Sequence, residues 1–412
     1  MGKIDFHELK KGTGFLFVGQ VLQALVGFGV NLVLVRYLLP EEFGRFALVM
    51  AGAILVYAIF SLRFDALIIR SSDEHFTEHR QDRYFSAAIF ETFLSSSILV
   101  GWLLVFEGIG AWEIGLVAAL GVRHWVQYNK GFFEREMPYR KLAVLETSIA
   151  LSGSVVALVS VLSGLGMHSL YIREFYLSAA GLLGLWWIGG LTLRRFVLLN
   201  LADWKELLHE VRGIWLDGVL ENSFNRIVIL LVGLLGGERA AGFFFQAQRL
   251  SMVPGQLIGP VIIRVATNWF GRTEERTARR DGRDKLLMLL AVPLSILGVL
   301  CYFYADPVVP WLFGENWQRS ADLLAAMCGL VVFINLFELL RTYCWVTRHV
   351  RWLLFGRVAL YVGCLLPAAA AYKGLIAGDM ALSMGLSISY LLGFVVVFII
   401  LKIAEKRWET PD

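Results

Sequence analysis

Runs of about twenty apolar residues recur along the chain, and no other feature narrows its fold as much. Twelve can be marked. The first six lie near Gly14–Leu39, Gly44–Phe64, Tyr84–Phe106, Trp112–Phe133, Leu142–Ser163 and Leu170–Leu193. The second six lie near Gly213–Leu235, Ala241–Trp269, Leu286–Tyr304, Ala321–Val346, Trp352–Ala371 and Met380–Leu401. Hydrocarbon offers no water to backbone N–H and C=O groups, so a spanning segment this long must satisfy them internally, as an α-helix does. The expected fold class is therefore an all-α polytopic membrane protein with twelve transmembrane helices.

Composition agrees. Of 412 residues 57% are hydrophobic and 17% charged, against about a quarter charged in soluble domains. Thirteen Trp and 29 Phe suit a lipid-facing surface with aromatic belts. Met1–Thr13 is polar and basic and the first apolar run is long enough to span, so no cleavable signal is expected. Four cysteines, Cys301, Cys328, Cys344 and Cys364, follow no metal or redox spacing and read as core or lipid-facing thiols.

Charge sets the orientation. Most of the 38 Lys and Arg residues fall in connections that twelve spans put on one side, together with both termini. The other side holds Arg36, Arg45, Arg173, Arg239, Arg319 and Lys373. That asymmetry predicts cytoplasmic termini. The most basic run, Arg272–Lys285, reads first as a topology signal and second as an attraction for anionic membrane lipids.

Between the sixth and seventh spans, LADWKELLHEV (Leu201–Val211) sets Leu201, Trp204, Leu208 and Val211 on one helical face, the pattern of a helix lying in the membrane interface. The expected organisation is a six-helix bundle over 1–199, an interfacial linker over 200–212 and a second six-helix bundle over 213–412. The halves look repeated: RYLLPEEFGRFA (Arg36–Ala47) and VGLLGGERAAGFFFQA (Val232–Ala247) share Leu-Leu, a turn with Glu, then Gly and an aromatic. Six spans per half give both halves the same orientation, as in parallel repeats with a substrate site between them.

The same stretches carry a family resemblance. RYLLPEEFGRFAL and SLRFDALIIRSSDE (Ser61–Glu74) resemble the opening of polysaccharide-transport flippases, the lipid-linked oligosaccharide and O-antigen branch of the multidrug/oligosaccharidyl-lipid/polysaccharide exporter superfamily. Glu221–Ile262 is similar to their seventh and eighth helices, and VVPWLFGENWQRSADLLAAM (Val308–Met327) to the turn before their tenth. The resemblance implies two six-helix bundles around a central cavity lined by helices one, two, seven and eight. It implies a polyprenyl-pyrophosphate-linked glycan, such as an undecaprenyl pyrophosphate oligosaccharide, moved from the cytoplasmic to the external leaflet by alternating access. It further implies a bacterial cytoplasmic (inner) membrane location, a proton or sodium ion as coupling ion, and polysaccharide polymerase and glycosyltransferases as pathway partners. Two further helices found in peptidoglycan-precursor flippases are missing, which argues against that branch.

A pyrophosphate at the membrane calls for arginines, whose planar donors bind two oxygens at once. Arg226 lies about 20 Å along its helix from Gly213 at 1.5 Å per residue, near mid-bilayer. Arg249 enters from the other side to a similar depth. These two are the first candidates for the pyrophosphate. The alternative for Arg226 is an internal pair with Asn222 or Glu221. Arg123 and Arg36 are further candidates, Arg123 with the alternative that it and His124 satisfy Glu91 or Glu146 within the first bundle. Asn31, Gln246 and Gln248 could bind sugar hydroxyls, although interhelical hydrogen bonds are the default for such residues. Asp217, Glu221 and Asn225 recur every four residues on one face. Two carboxylates a turn apart in low dielectric favour one shared proton, so Glu221 and Asp217, with Glu91, are the ion-coupling candidates. No cofactor other than the ion is expected.

Rival readings differ in what they require. A drug or small-cation antiporter of the same superfamily would favour a more acidic cavity. A membrane glycan polymerase or glycosyltransferase would display catalytic carboxylates or histidines on sizeable external loops, whereas the longest external connection here is Ala305–Ser320. No phosphate-binding Gly-rich loop, metal cluster or catalytic triad stands out, and neither an enzyme nor a nucleic-acid-binding protein is expected.

Overall fold

The computed structural model describes residues 6–70, 76–106, 110–135, 139–273 and 275–409. Among these every regular element is helical. In order they are α1 (Phe6–Tyr37), α2 (Pro40–Phe60), α3 (Phe64–Arg70), α4 (Glu78–Phe106), α5 (Ala111–Arg135), α6 (Tyr139–Leu162) and α7 (His168–Trp187). They continue with α8 (Leu201–Arg272), α9 (Arg276–Phe313), α10 (Gln318–Ala326), α11 (Cys328–Val346), α12 (Val350–Tyr372) and α13 (Gly378–Glu409). Among the described residues, eight helices are long and apolar enough to cross a membrane by length and composition. Both chain ends and the last residues of the Ser61–Glu74 stretch lie outside the described residues.

The chain forms two compact units. Unit 1 holds Met1–Leu38 and Val49–Arg226; unit 2 holds Leu39–Leu48 and Ile227–Asp412. In unit 1, α1 packs on α6, α6 and α5 on α7, and α3 and α4 on α5. In unit 2, α12 and α11 pack on α13, and α10 and α11 on α9. Small residues allow the tightest of these contacts, as membrane helices commonly require. A Cβ at Gly363 of α12 would stand 2.7 Å from the Ser389 backbone of α13.

The seventh and eighth expected spans lie in α8 as two helices that meet at Gly237 (φ 76°, ψ −175°), a conformation open to glycine and to few other residues. Two other expected spans take another form. The tenth is split at Met327 into α10 and α11. The sixth stops at Trp187, and the chain beyond it is not helical up to Leu201. Its backbone is tied to side chains instead: Thr192 N–H donates to Asn129 Oδ1 (2.8 Å) and Val197 N–H to Ser86 Oγ (2.8 Å).

The expected linker helix opens α8, and it packs within unit 1 rather than resting on lipid alone. Leu207 and Val211 are buried among Phe64, Ile68, Tyr84 and Phe85, with Trp204 packed against them, while Leu201 and Leu208 stay exposed. Charge pins the same helix to the start of α4: Arg83 Nη2 donates to Glu206 Oε2 (2.8 Å), and Arg80 pairs with Glu210.

In unit 2 the two similar turns meet. Pro40 opens α2 with Glu41 and Glu42 in its first turn, and the Leu39 N–H donates to Glu42 Oε2 (2.8 Å) in the manner of a capping box. A Cβ at Gly44 would fall on the Glu238 carbonyl, and one at Gly242 on the Pro40 carbonyl. Each glycine thus receives the carbonyl four residues before the other, a reciprocal crossing expected where equivalent segments are related by a local two-fold axis. Arg239 Nε lies 3.2 Å from Glu41 across it. Trp317, 1% exposed, anchors the region, with its ring edge-on to Phe43 (5.7 Å), Phe243 (6.0 Å) and Phe313 (6.1 Å).

Candidate functional site

A helix break builds the polar cavity of unit 1. α2 ends at Phe60 and α3 begins at Phe64; between them Arg63 adopts φ 58°, a left-handed conformation uncommon for a residue with a side chain and often found at functional sites. The break frees backbone groups that a continuous helix would pair. The Ile59 carbonyl accepts the Trp215 indole N–H at 2.8 Å. The Leu62 N–H donates to Glu91 Oε1 at 2.8 Å.

Glu91 stands on α4 and is 3% exposed. His124 of α5 brings Nε2 to 3.5 Å from Glu91 Oε2, and its ring lies 5.3 Å from that of Tyr57. The Tyr57 hydroxyl shares a 3.0 Å hydrogen bond with Ser96 Oγ. Arg63 Nε lies 3.5 Å from Asp65 Oδ1, and Asn222 Nδ2 donates to the Gly218 carbonyl at 2.8 Å. Tyr57, Arg63, Asp65, Glu91, His124 and Asn222 line about 330 Å³ of space. A carboxylate withdrawn from water is stable when ionised only with strong partners; otherwise it takes up a proton. Here the partners are one amide and one imidazole, and no permanent cation.

The other sequence candidates are dispersed. Arg226 is half-buried on α8, and among the described residues it makes no hydrogen bond or ion pair; Asn222, its expected partner, is turned to Gly218. Arg123 donates to Glu174 of α7 at 2.9 Å, so its partner is neither Glu91 nor Glu146. Glu146 is instead paired with Lys130. Arg36 is exposed in the last turn of α1, and Arg249 is half-buried. Asn31, Gln246, Gln248 and Asp217 are buried, with Glu221 half-buried. The cavity therefore brings Glu91 and His124 together, along with Asn222, and leaves out Glu221 and Asp217. Sequence pattern singles out none of Tyr57, Arg63, Asp65 and Ser96. The one available signal is the cluster Ser61, Arg63 and Asp65 directly after an apolar run.

Comparison with known proteins gives these features a family. The model of the polysaccharide biosynthesis protein family matches residues 33–322. The chain belongs to this family. The match agrees with the resemblance to the polysaccharide-transport branch of the exporter superfamily. Among curated proteins of polysaccharide biosynthesis, this family member is 23% identical over 221 residues to the lipopolysaccharide biosynthesis protein WzxC of Escherichia coli (strain K12), covering 52% of this chain and 43% of that one. It is 25% identical over 335 residues to the succinoglycan biosynthesis transport protein ExoT of Rhizobium meliloti (strain 1021), covering 74% and 64%. The chain thus spans less than two thirds of the length of either relative. Its fold is like that of the lipid II flippase MurJ in an inward closed conformation, with TM-score 0.69, 11% identity, and coverage of 95% of this chain and 87% of that one.

Proposed function

We propose that this family member is a flippase that carries a polyprenyl-pyrophosphate-linked oligosaccharide from the cytoplasmic to the external leaflet of a bacterial inner membrane. In this reading it works by alternating access, driven by an ion gradient, within a pathway whose glycosyltransferases and polymerase make a surface polysaccharide. Arg226 is the observation that carries the proposal. A guanidinium on an apolar helix costs about 2.5–3.5 kcal/mol to insert and is ordinarily paired. Arg226 makes no hydrogen bond or ion pair among the described residues, and a pyrophosphate is the dianionic partner that would repay it. Arg249, Arg123 and Arg36 are the further cations of this reading, and Asn31, Gln246 and Gln248 its glycan contacts. Among the coupling candidates Glu91, Glu221 and Asp217, the surroundings of Glu91 favour it, because it is buried beside open space with an imidazole and no permanent cation as its partner.

Reconstitution tests the role of Arg226. Flipping of a fluorescent undecaprenyl-pyrophosphate oligosaccharide in proteoliposomes should fall at least tenfold in Arg226→Ala, about the worth of one charge-assisted hydrogen bond. Arg226→Lys should fall less, because it keeps the charge and loses the two-oxygen fork. Wild-type flipping by Arg226→Ala would remove the basis of the proposal.

A further inference from the structure

The cavity at the α2–α3 break draws on five helices of unit 1: Tyr57 stands on α2, Asp65 on α3, Glu91 on α4, His124 and Tyr128 on α5, and Asn222 on α8. Its volume of about 330 Å³ is about ten times the share of one water molecule in the liquid, and it falls at the lower end of small-ligand sites, ~300–1,000 Å³. Small residues on the lining, Ala58, Ala88 and Gly218, leave the room between the larger ones.

The walls are matched in charge. Among the described residues, the acidic and basic side chains on the lining are Arg63, Asp65, Glu91 and His124. Arg63 stands 3.5 Å from Asp65, and His124 stands 3.5 Å from Glu91. Outside the lining, Arg194 and Asp82 act on Tyr128, again one of each sign. Each carboxylate on the lining thus already faces a basic group, and the walls favour an uncharged, polar occupant over a phosphate or a metal ion.

Several polar groups there keep hydrogen-bonding capacity. Tyr128 is 3% exposed, yet its hydroxyl has no hydrogen-bond partner among the described residues, an uncommon state for a buried polar atom. Asp65 accepts from Gln127 Nε2 at 3.5 Å, and Arg63 Nε comes no nearer. Both contacts lie at the outer limit of hydrogen bonding, so the carboxylate has room for closer donors. Asn222 spends an amide N–H on the Gly218 carbonyl, which leaves its oxygen as an acceptor. The rings of Tyr57, Phe64 and Tyr128 line the same space. An aromatic face is electron-rich and attracts C–H bonds laid against it.

We infer that this cavity binds one neutral sugar ring. Such a ring carries C–H bonds on its faces for the aromatic side chains. Its rim carries hydroxyls, each both donor and acceptor, for Tyr128, Asp65 and Asn222. The inference rests on the flippase reading only for the source of the ring, a sugar of the lipid-linked glycan; a free sugar has the same chemistry and is separable by experiment. A sugar held here lies beside Glu91, so cargo and coupling candidate share one cavity.

The test uses the full chain in phosphatidylcholine nanodiscs, because sugar-headed detergents would compete. Saturation-transfer NMR reads binding of the methyl glycosides of glucose, galactose, mannose and N-acetylglucosamine. It needs no transport, so its result stands however the flipping assay turns out. At least one glycoside should bind the wild type. Sorbitol, with hydroxyls but no preorganised ring, should bind roughly tenfold more weakly or less. Tyr128→Phe should weaken the glycoside about two- to tenfold, the worth of one neutral hydrogen bond. It should not lower the unfolding temperature, because the hydroxyl it removes has no partner. Asp65→Asn should weaken binding roughly tenfold or more through loss of a charged acceptor. Tyr390→Phe removes a hydroxyl from α13 of unit 2, off the cavity, and should bind as the wild type does. Displacement of the glycoside by an undecaprenyl-pyrophosphate oligosaccharide in the disc supports the site with the cargo as ligand. Binding without displacement supports it with a free sugar and detaches it from the flippase reading. The inference is overturned if no glycoside binds the wild type or if sorbitol binds as well as they do. It is equally overturned if Tyr128→Phe and Tyr390→Phe behave alike.

Discussion

Two buried glutamates, Glu91 in unit 1 and Glu405 in unit 2, are held in opposite ways. Glu405, 6% exposed, takes both terminal nitrogens of Arg283, whose guanidinium also lies 4.9 Å from the Tyr343 ring centroid and 5.8 Å from that of Phe398. A permanent countercharge of this kind holds the carboxylate and its geometry in place. Glu91, 3% exposed, has an amide at 2.8 Å and an imidazole at 3.5 Å, beside open space. Neither of those partners carries a permanent charge. The difference teaches that burial alone does not mark a carboxylate as functional. What matters is whether its partner can change charge.

The sharpest test removes a partner from the rigid pair. Arg283→Ala leaves Glu405 buried beside a void, and stranding one member of a buried ion pair costs about 3–5 kcal/mol. Thermal unfolding in detergent should drop accordingly, and exchange protection in α9 and α13 should fall first. Arg283→Met with Glu405→Leu should recover much of the loss, because apolar replacement removes both charges at once. If Arg283→Ala costs under about 1 kcal/mol, the pair is no lock and the contrast with Glu91 fails.

At Glu91 the expected effects are reversed. Glu91→Gln keeps an oxygen to accept the Leu62 N–H and should shift stability by about 1 kcal/mol or less, the net worth of one hydrogen bond. Under the proposed function, transport should nonetheless stop following an imposed proton or sodium gradient. A variant that flips its cargo with full gradient dependence would return the coupling role to Glu221 or Asp217. Destabilisation as large as that of Arg283→Ala would show the two sites to be built alike.

How far these sites can be read from sequence depends on how local their causes are. Lipid exposure is a property of each side chain, so α2, α4 and α13 stand out as apolar runs. The α8 break was legible too, since Gly236–Gly237 mark a turn. Pairing across helices has no such local signal. Arg123 and Glu174 lie 51 residues apart and Arg283 and Glu405 lie 122 apart, and only packing decides that they meet. The α2–α3 break is hidden for another reason: Ser61–Arg63 contains neither glycine nor proline, and Arg63 is held in its left-handed conformation by its surroundings. Arg80 and Arg83 follow the topology rule, and that rule conceals their second task of clamping the linker helix.

The smallest effect concerns the same side chain in the two settings. His124 faces a carboxylate, whereas His349, in the turn after α11, faces Arg276 and Arg279. Burial lowers the His349 pKa below the usual imidazole value, and the positive charges of Arg276 and Arg279 lower it further, against a smaller upward pull from Glu405. The sign follows from linkage: the unfolded chain binds the proton more readily, so the stability held at neutral pH is lost as pH falls through the ordinary value near 6.5 towards the lower folded value. His349→Gln should therefore unfold at a temperature less sensitive to acidification from about pH 7.5 to 5.5, the window in which imidazoles titrate. If His349→Gln and the wild type lose stability in parallel across that range, the arginines do not set the state of this ring. The two histidines would then differ in neighbours but not in behaviour.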